Sequence, residues 1–268
     1  MNSWDSLNKE LDLWRSEGRV ATFWWRDDDV VAPTPALERL LHLKEHFDLP
    51  LALAVIPEKV DPELVNHLEE CVILQHGFSH ENVAAAGAKK SEFPDTRAVE
   101  EIKTDLLKGK ETLTRIFTDQ FVPIMVPPWN RMADHHLGVL ANLGFVGISR
   151  YKARKEGLVR PALAEINTHV DPINWRDDRS VVPEAVLLDM VIDHLAARRQ
   201  GQADLLEPTG LLTHHLVHDE NVWATLYKLL ATLTDHPAVR FLTIEGALAL
   251  IDGIPDEDFL QETEQAVE

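Results

Sequence analysis

The chain has 268 residues, 45% of them apolar and 26% charged, proportions that suit a soluble globular protein of one large α/β domain or two small ones. Its formal net charge is −19, which excludes the basic footprint that nucleic acids and anionic membranes need. A single cysteine, Cys71, excludes an internal disulfide framework and a thiolate metal site, and its apolar surroundings make it a core residue.

The elements alternate along the chain. Strands are expected at 20–25, 51–56 and 71–75, with helices at 35–47 and 61–69 between them. The second of these helices has Asp61 as its cap and Pro62 at its first position. A loop rich in Ala, Gly, Lys and Ser runs over 81–94, followed by a helix at 96–117 with Val99, Ile102, Leu106, Leu113 and Ile116 on one face. A strand at 121–126, a helix at 134–143 ended by Gly144, and short strands at 145–148 and 166–170 around a polar loop come next. The remainder reads as helix 183–199, strand 210–213, helix 219–234, strand 240–243 and helix 244–250.

Repeated βα units with no long linker imply a parallel sheet with helices outside. The expected fold is therefore an α/β (β/α) barrel of seven or eight strands, irregular or incompletely closed, with a doubly wound open sheet as the alternative. Residues 1–254 read as one such domain, and 255–268, rich in Asp and Glu, as a flexible acidic tail. No glycine-rich phosphate loop follows the first strand. The N-terminus lacks a basic segment followed by an apolar stretch, and no apolar run approaches the ~20 residues of a membrane span. A cytoplasmic location is expected.

Polar clusters stand where the strands end, the face on which barrels carry chemistry. Arg26-Asp27-Asp28-Asp29 follows Phe23-Trp24-Trp25 directly, so the first acids should be half buried. Adjacent buried carboxylates repel unless a cation or a proton compensates them. A charge-assisted pair with Arg26 would keep one of them ionised and oriented. His76 and His80 are four apart and can share a cation if the segment turns helically. Thr213-His214-His215 follows a late strand; alternation sends one imidazole to the site, and His215 is expected to be a buried, hydrogen-bonded histidine. Asp219 reads as a helix cap. Pro127-Pro128-Trp129-Asn130 and Asp171-Pro172-Ile173-Asn174-Trp175 complete the face. Trp129 and Trp175 can stack on a sugar ring or close the barrel end. His42, His46, His67 and His194 lie in helices as surface or packing residues, and His169 is a reserve site residue.

In their order these clusters resemble the polysaccharide deacetylases of the NodB homology family, metal-dependent carbohydrate deacetylases, over nearly the whole chain. The resemblance maps the family's Asp-Asp pair onto Asp27-Asp28 or Asp28-Asp29. The distance onward to Thr34-Pro35 favours Asp27 as base and Asp28 as metal ligand, while Arg26, two residues before Asp28, supports the other register. His76 and His80 match the two metal-binding histidines. Residues 126–130 match the groove motif with Val126 where arginine is expected, and 171–175 the next motif with Asn174 where an acid is expected. Leu212-Thr213-His214 matches the motif whose histidine is the general acid. Arg26 is a candidate replacement for the missing arginine.

The reading that follows is a divalent-metal-dependent deacetylase of a small or oligosaccharide N-acetyl substrate. Zinc is the first choice of metal, held by Asp28, His76 and His80 with a position left for water. Asp27 takes the proton of that water, the Trp129 backbone N–H helps to bind the oxyanion, and His214 protonates the leaving amine. Arg26, Pro128, Trp129, Asn130 and Trp175 line the substrate. Neither nucleic acid nor membrane is an expected partner, and the oligomeric state is open. Two alternatives stand beside it: a hydrolase of the same barrel acting on another amide or a cyclic imide, and a non-catalytic protein that keeps the metal.

Overall fold

The computed structural model describes residues 3–176 and 178–252. The end assigned to the domain and the acidic tail lie outside these residues. The first element is a helix that the sequence reading did not anticipate, α1 (Trp4–Ser16), capped by the Ser3 hydroxyl in a reciprocal bond pair with Ser6. It buries Leu7, Leu11 and Trp14. Their i, i+4, i+7 spacing forms a narrow stripe, and each such side chain contributes on the order of 1.5–3 kcal/mol when withdrawn from water.

The strands are β1 (Ala21–Val30), β2 (Leu51–Val55), β3 (Cys71–His76), β4 (Phe121–Val126), β5 (Gly147–Ile148), β6 (Leu158–Arg160), β7 (Leu163–Glu165), β8 (Thr209–Thr213) and β9 (Val239–Phe241). The helices after α1 are α2 (Pro35–His46), α3 (Val99–Phe117), α4 (Leu137–Asn142), α5 (Glu184–Arg199), α6 (Glu220–Thr234) and α7 (Ile244–Asp252). The expected 61–69 helix is a 3-10 turn over Pro62–His67, with Asp61 accepting from the Glu63 N–H. The polar loop before residue 166 contains the antiparallel hairpin β6–β7.

The sheet runs β6-β7-β5-β4-β3-β2-β1-β8, with β9 also against β1, and every pairing except the hairpin is parallel. Its ladder is not closed. The segment 166–170, expected as a strand, instead carries single bonds to both sides of the gap. Ile166 and Thr168 donate to Ile148 and Arg150, while His169 and Val170 donate to Gly210 and Leu212 donates back to Val170. An incompletely closed barrel results, as the alternation implied.

The period of two along the strands sorts their side chains into two cores. Trp24, Ala52, Ala54, Leu74, Ile124, Val126 and Ile166 share a buried cluster with Ile244 and Ala247 of α7. This is the barrel interior, and Trp24 is the largest side chain of the cluster. Its indole N–H donates to the Asn167 carbonyl at 2.9 Å across the gap. Gly210 permits this, since a Cβ there would lie 2.5 Å from the Trp24 Nε1. Phe23, Trp25, Leu51, Leu53, Val55 and Ile73 face the other way, onto the helices.

Candidate functional site

The two-residue period also decides what Arg26-Asp27-Asp28-Asp29 presents. Arg26 and Asp28 share the interior face with Trp24; Asp27 shares the outer face with Trp25. Asp27 is 0% exposed. Its carboxylate accepts from the Thr213 hydroxyl at 2.7 Å, the His215 N–H at 3.0 Å and His215 Nδ1 at 2.5 Å. Burial alone would raise the Asp27 pKa, but the His215 imidazole outweighs it and holds the carboxyl below its usual range; His215 is raised in turn, the Asp27 charge overcoming its own burial. This is a buried ion pair under the site. It leaves Asp27 turned away from the histidine pair, contrary to its expected place as base beside Asp28.

Beyond Asp28 the pairing of β1 with β2 shifts register between Asp27 and Val30, and Asp29 adopts φ 68°. A residue in this left-handed conformation breaks the alternation, so Asp28 and Asp29 both reach the interior face. Asp29 Oδ1 lies 3.2 Å from His76 Nε2 and 3.1 Å from His80 Nε2. The carboxylate that meets the two histidines is therefore Asp29, where Asp28 was expected. Asp28 is instead gripped by Arg26 in a two-pronged pair, Nε to Oδ1 at 2.8 Å and Nη2 to Oδ2 at 3.0 Å. Arg26 is completely buried. Its remaining N–H groups donate to the Ser149 hydroxyl at 2.6 Å, the Ser149 carbonyl at 3.2 Å and Asn130 Oδ1 at 2.8 Å. A side chain so enclosed cannot line a substrate, the role expected of it, and Asn130 is likewise engaged in holding it.

His76 ends β3 on the interior face, and its Nδ1 lies 2.9 Å from the Val126 carbonyl. A carbonyl can only accept, so Nδ1 carries a proton, while Nε2 faces the Asp29 carboxylate, an acceptor, across a gap that either a second proton or a cation can fill. Two acceptors face one another unless a positive charge lies between them. The Asp29 pKa is lowered because hydrogen bonds to His76 and His80 outweigh its burial, and the His76 pKa is raised because the Asp28 and Asp29 charges outweigh its burial. Among the described residues these three offer donor atoms within 4.8 Å of one another. Two imidazoles and a carboxylate, with the far nitrogen of His76 tied to a backbone carbonyl, form a donor set that fits a divalent cation such as zinc.

The other expected residues surround this group. His214 Nε2 lies 3.9 Å from Asp28 Oδ2, the oxygen that also accepts from Arg26 Nη2. Its ring packs edge-on against Trp175 at 4.6 Å, and the Trp175 indole N–H donates to Asp171 Oδ2 at 2.7 Å. Burial raises the Asp171 pKa. Trp129, in a left-handed turn at φ 56°, brings its indole to 4.6 Å from His80. Pro128 is buried against the Gly77 backbone, 2.8 Å from where a Cβ would project. Val126, found where an arginine was expected, belongs to the apolar interior, and its carbonyl serves His76. Asp219 caps α6 by accepting from the Val222 N–H.

A second group of the same residue types lies beside the barrel gap: His169, His194 on α5, and Glu207 before β8. Here the His169 Nδ1 accepts from the Gly210 N–H at 2.9 Å, so its Nε2 carries the proton. A cation at that nitrogen would require an imidazolate. Arg198 and Arg154 already stand beside Glu207, and Arg154 donates its backbone N–H to Oε2 at 2.8 Å. This group does not fit a metal.

No protein-family model matches the chain, and no curated protein matches it. Solved structures do. A protein assigned as a polysaccharide deacetylase from Mycobacterium smegmatis superimposes with a TM-score of 0.65 over 88% of this chain and 91% of its own, at 17% identity. The fold is that of the polysaccharide deacetylases. The chitin deacetylase of Colletotrichum lindemuthianum matches with a TM-score of 0.53 over 90% of both chains, at 16% identity. A family 4 acetyl xylan esterase from Clostridium thermocellum, solved in complex with a cobalt ion, matches with a TM-score of 0.50 over 87% of this chain and 93% of its own, at 14% identity. On this polysaccharide deacetylase fold, no helix among the described residues is long and apolar enough to cross a membrane.

Proposed function

We propose that this chain is a divalent-metal-dependent hydrolase that removes the acetyl group of an N-acetylated, sugar-like compound. The observation that carries the reading is the meeting of Asp29, His76 and His80 beside an Asp28 fixed by Arg26. The deacetylase and esterase identities of proteins with this fold support it.

Asp29 Oδ1, His76 Nε2 and His80 Nε2 would hold the cation. When bound, it supplies Lewis-acid chemistry and a local positive charge to the reacting carbonyl. Asp28 is the general base: Arg26 fixes its plane with two hydrogen bonds, and each oxygen keeps a lone pair that can take a proton from the attacking water. Arg26 thus does from β1 what the resemblance expected of an arginine at 126. His214, within 3.9 Å of the same carboxylate, delivers a proton to the departing amine. Trp175 and Asp171 hold the His214 ring on one side. Trp129 beside His80 and Trp175 beside His214 supply the aromatic surface on which a sugar ring can stack.

The test is metal analysis of the purified chain with an assay for acetate released from N-acetylated oligosaccharides. One zinc or similar ion per chain and acetate release that stops in His80→Ala are expected. A metal-free chain whose behaviour is unchanged by His76→Ala and His80→Ala would sink the proposal. Release of an acid other than acetate would reassign the substrate and keep the metal.

A further inference from the structure

The loop that carries His80 is held by a buried carboxylate with no evident role in the sequence. His80 sits in a left-handed conformation, φ 57°, unfavourable for a residue with a Cβ, and Gly77 is left-handed too at φ 59°. The N–H groups between them turn inward as a nest, a concavity suited to an anion. Glu92, 1% exposed, fills it. Its Oε1 accepts from the Phe78 N–H at 3.1 Å, the Ser79 N–H at 2.9 Å and the Ser79 hydroxyl at 3.2 Å, and its Oε2 accepts from the His80 N–H at 3.3 Å. A Cβ on Gly77 would lie 2.1 Å from Oε2, so the nest closes on Glu92 only with glycine there.

Glu92 is itself fixed from the other side. Arg97 donates to its carbonyl at 3.1 Å, and the Ser91 hydroxyl donates to the Arg131 carbonyl at 3.2 Å. The stretch read as a plain loop thus folds back to carry one carboxylate under the His80 turn. The loop's carbonyls are held independently, Gly77 by Gln75 Nε2 and Phe78 by the Glu58 N–H. Among the described residues, only Glu92 accepts from the N–H groups of Phe78, Ser79 and His80.

We propose that Glu92 is a positioning residue: it fixes His80 in the conformation that brings its Nε2 to Asp29, and so sets the affinity of the cation site. The proposal rests on the metal reading above. It is tested on the full chain with Glu92→Gln and Glu92→Ala, by Zn2+ affinity in competition with a chromophoric chelator, by the visible spectrum of the Co2+-loaded protein and by the Tm of the metal-free protein. Zn2+ binding should weaken about 10–100-fold, the scale of losing a partner that orients a ligand. The Co2+ spectrum should change, while the metal-free Tm moves little. A Zn2+ affinity less than about tenfold below wild type, with an unchanged Co2+ spectrum, overturns the proposal, because an orienting partner costs at least tenfold. Should neither variant fold, amide hydrogen exchange on the metal-free wild type decides. Slow exchange at Phe78, Ser79 and His80 supports the nest, and unprotected amides overturn it. A wild type that binds no Zn2+, or binds it as well after His80→Ala, overturns the metal reading itself and the Glu92 proposal with it, an outcome distinct from a tight wild type and a tight Glu92→Gln.

Discussion

His76, His80 and Asp29 at the strand ends, and His169, His194 and Glu207 beside the barrel gap, are each two imidazoles and a carboxylate with donor atoms within 4.8 Å of one another. They differ in what holds the far nitrogen of one ring. The Val126 carbonyl accepts from Nδ1 of His76, which frees Nε2 to give its lone pair to a cation; the Gly210 N–H donates to Nδ1 of His169 and leaves Nε2 a proton. They differ also in charge. The Asp29 cluster has a second carboxylate, Asp28, 2% exposed, next to it. The Glu207 cluster has Arg198 and Arg154, whose charges help hold the His169 pKa down, burial being the larger cause. Residue type and proximity are therefore not enough to make a cation site. The backbone group on the second nitrogen decides which way the ring can act.

The largest effect separating the two clusters should be on metal binding. Asp29→Ala or His76→Ala should weaken Zn2+ binding by more than about 100-fold, beyond the range for losing an orienting partner, and His169→Ala should leave it unchanged; chelator competition reads both. A second equivalent of Zn2+ that disappears with His169→Ala would break the comparison.

The two carboxylates of β1 that face opposite ways should also separate. Asp28→Asn should lower the rate about 10²–10⁴-fold, the worth of a general base, with metal retained. Asp27→Ala should cost about 3–5 kcal/mol of stability, since it strands the buried His215, and denaturant unfolding measures it. A rate loss in Asp27→Ala as deep as in Asp28→Asn would return the base to Asp27.

Glu207→Ala should destabilise by about 1–3 kcal/mol through the unpaired donors it leaves, with metal stoichiometry unchanged. The second cluster also carries a pH dependence. Burial pushes His194 down to about 4 from an ordinary value of 6.5, so the unfolded chain binds a proton that the folded chain refuses. Stability from this residue is full above that ordinary value and is lost as the pH falls toward about 4. His194→Gln should flatten that part of the profile, read as unfolding free energy between neutral and mildly acidic buffer.

The sequence by itself determined the architecture, because βα alternation leaves few ways to bury strands on both faces. It also placed His76, His80 and His214 at strand ends, since apolar runs give way there to polar residues. It did not decide among Asp27, Asp28 and Asp29. Three identical side chains in a row carry no information about a bulge, and one residue in a left-handed conformation sends two of them to the same face. Nor could it reveal α1, whose apolar stripe is sparse, or Glu92, whose partners are backbone N–H groups that no residue type announces. That His169 reads as a reserve site residue in sequence and lies in a cluster unfit for metal has the same cause. The proton on an imidazole is set by a backbone contact from a distant strand, Gly210, and only the tertiary fold brings that contact about.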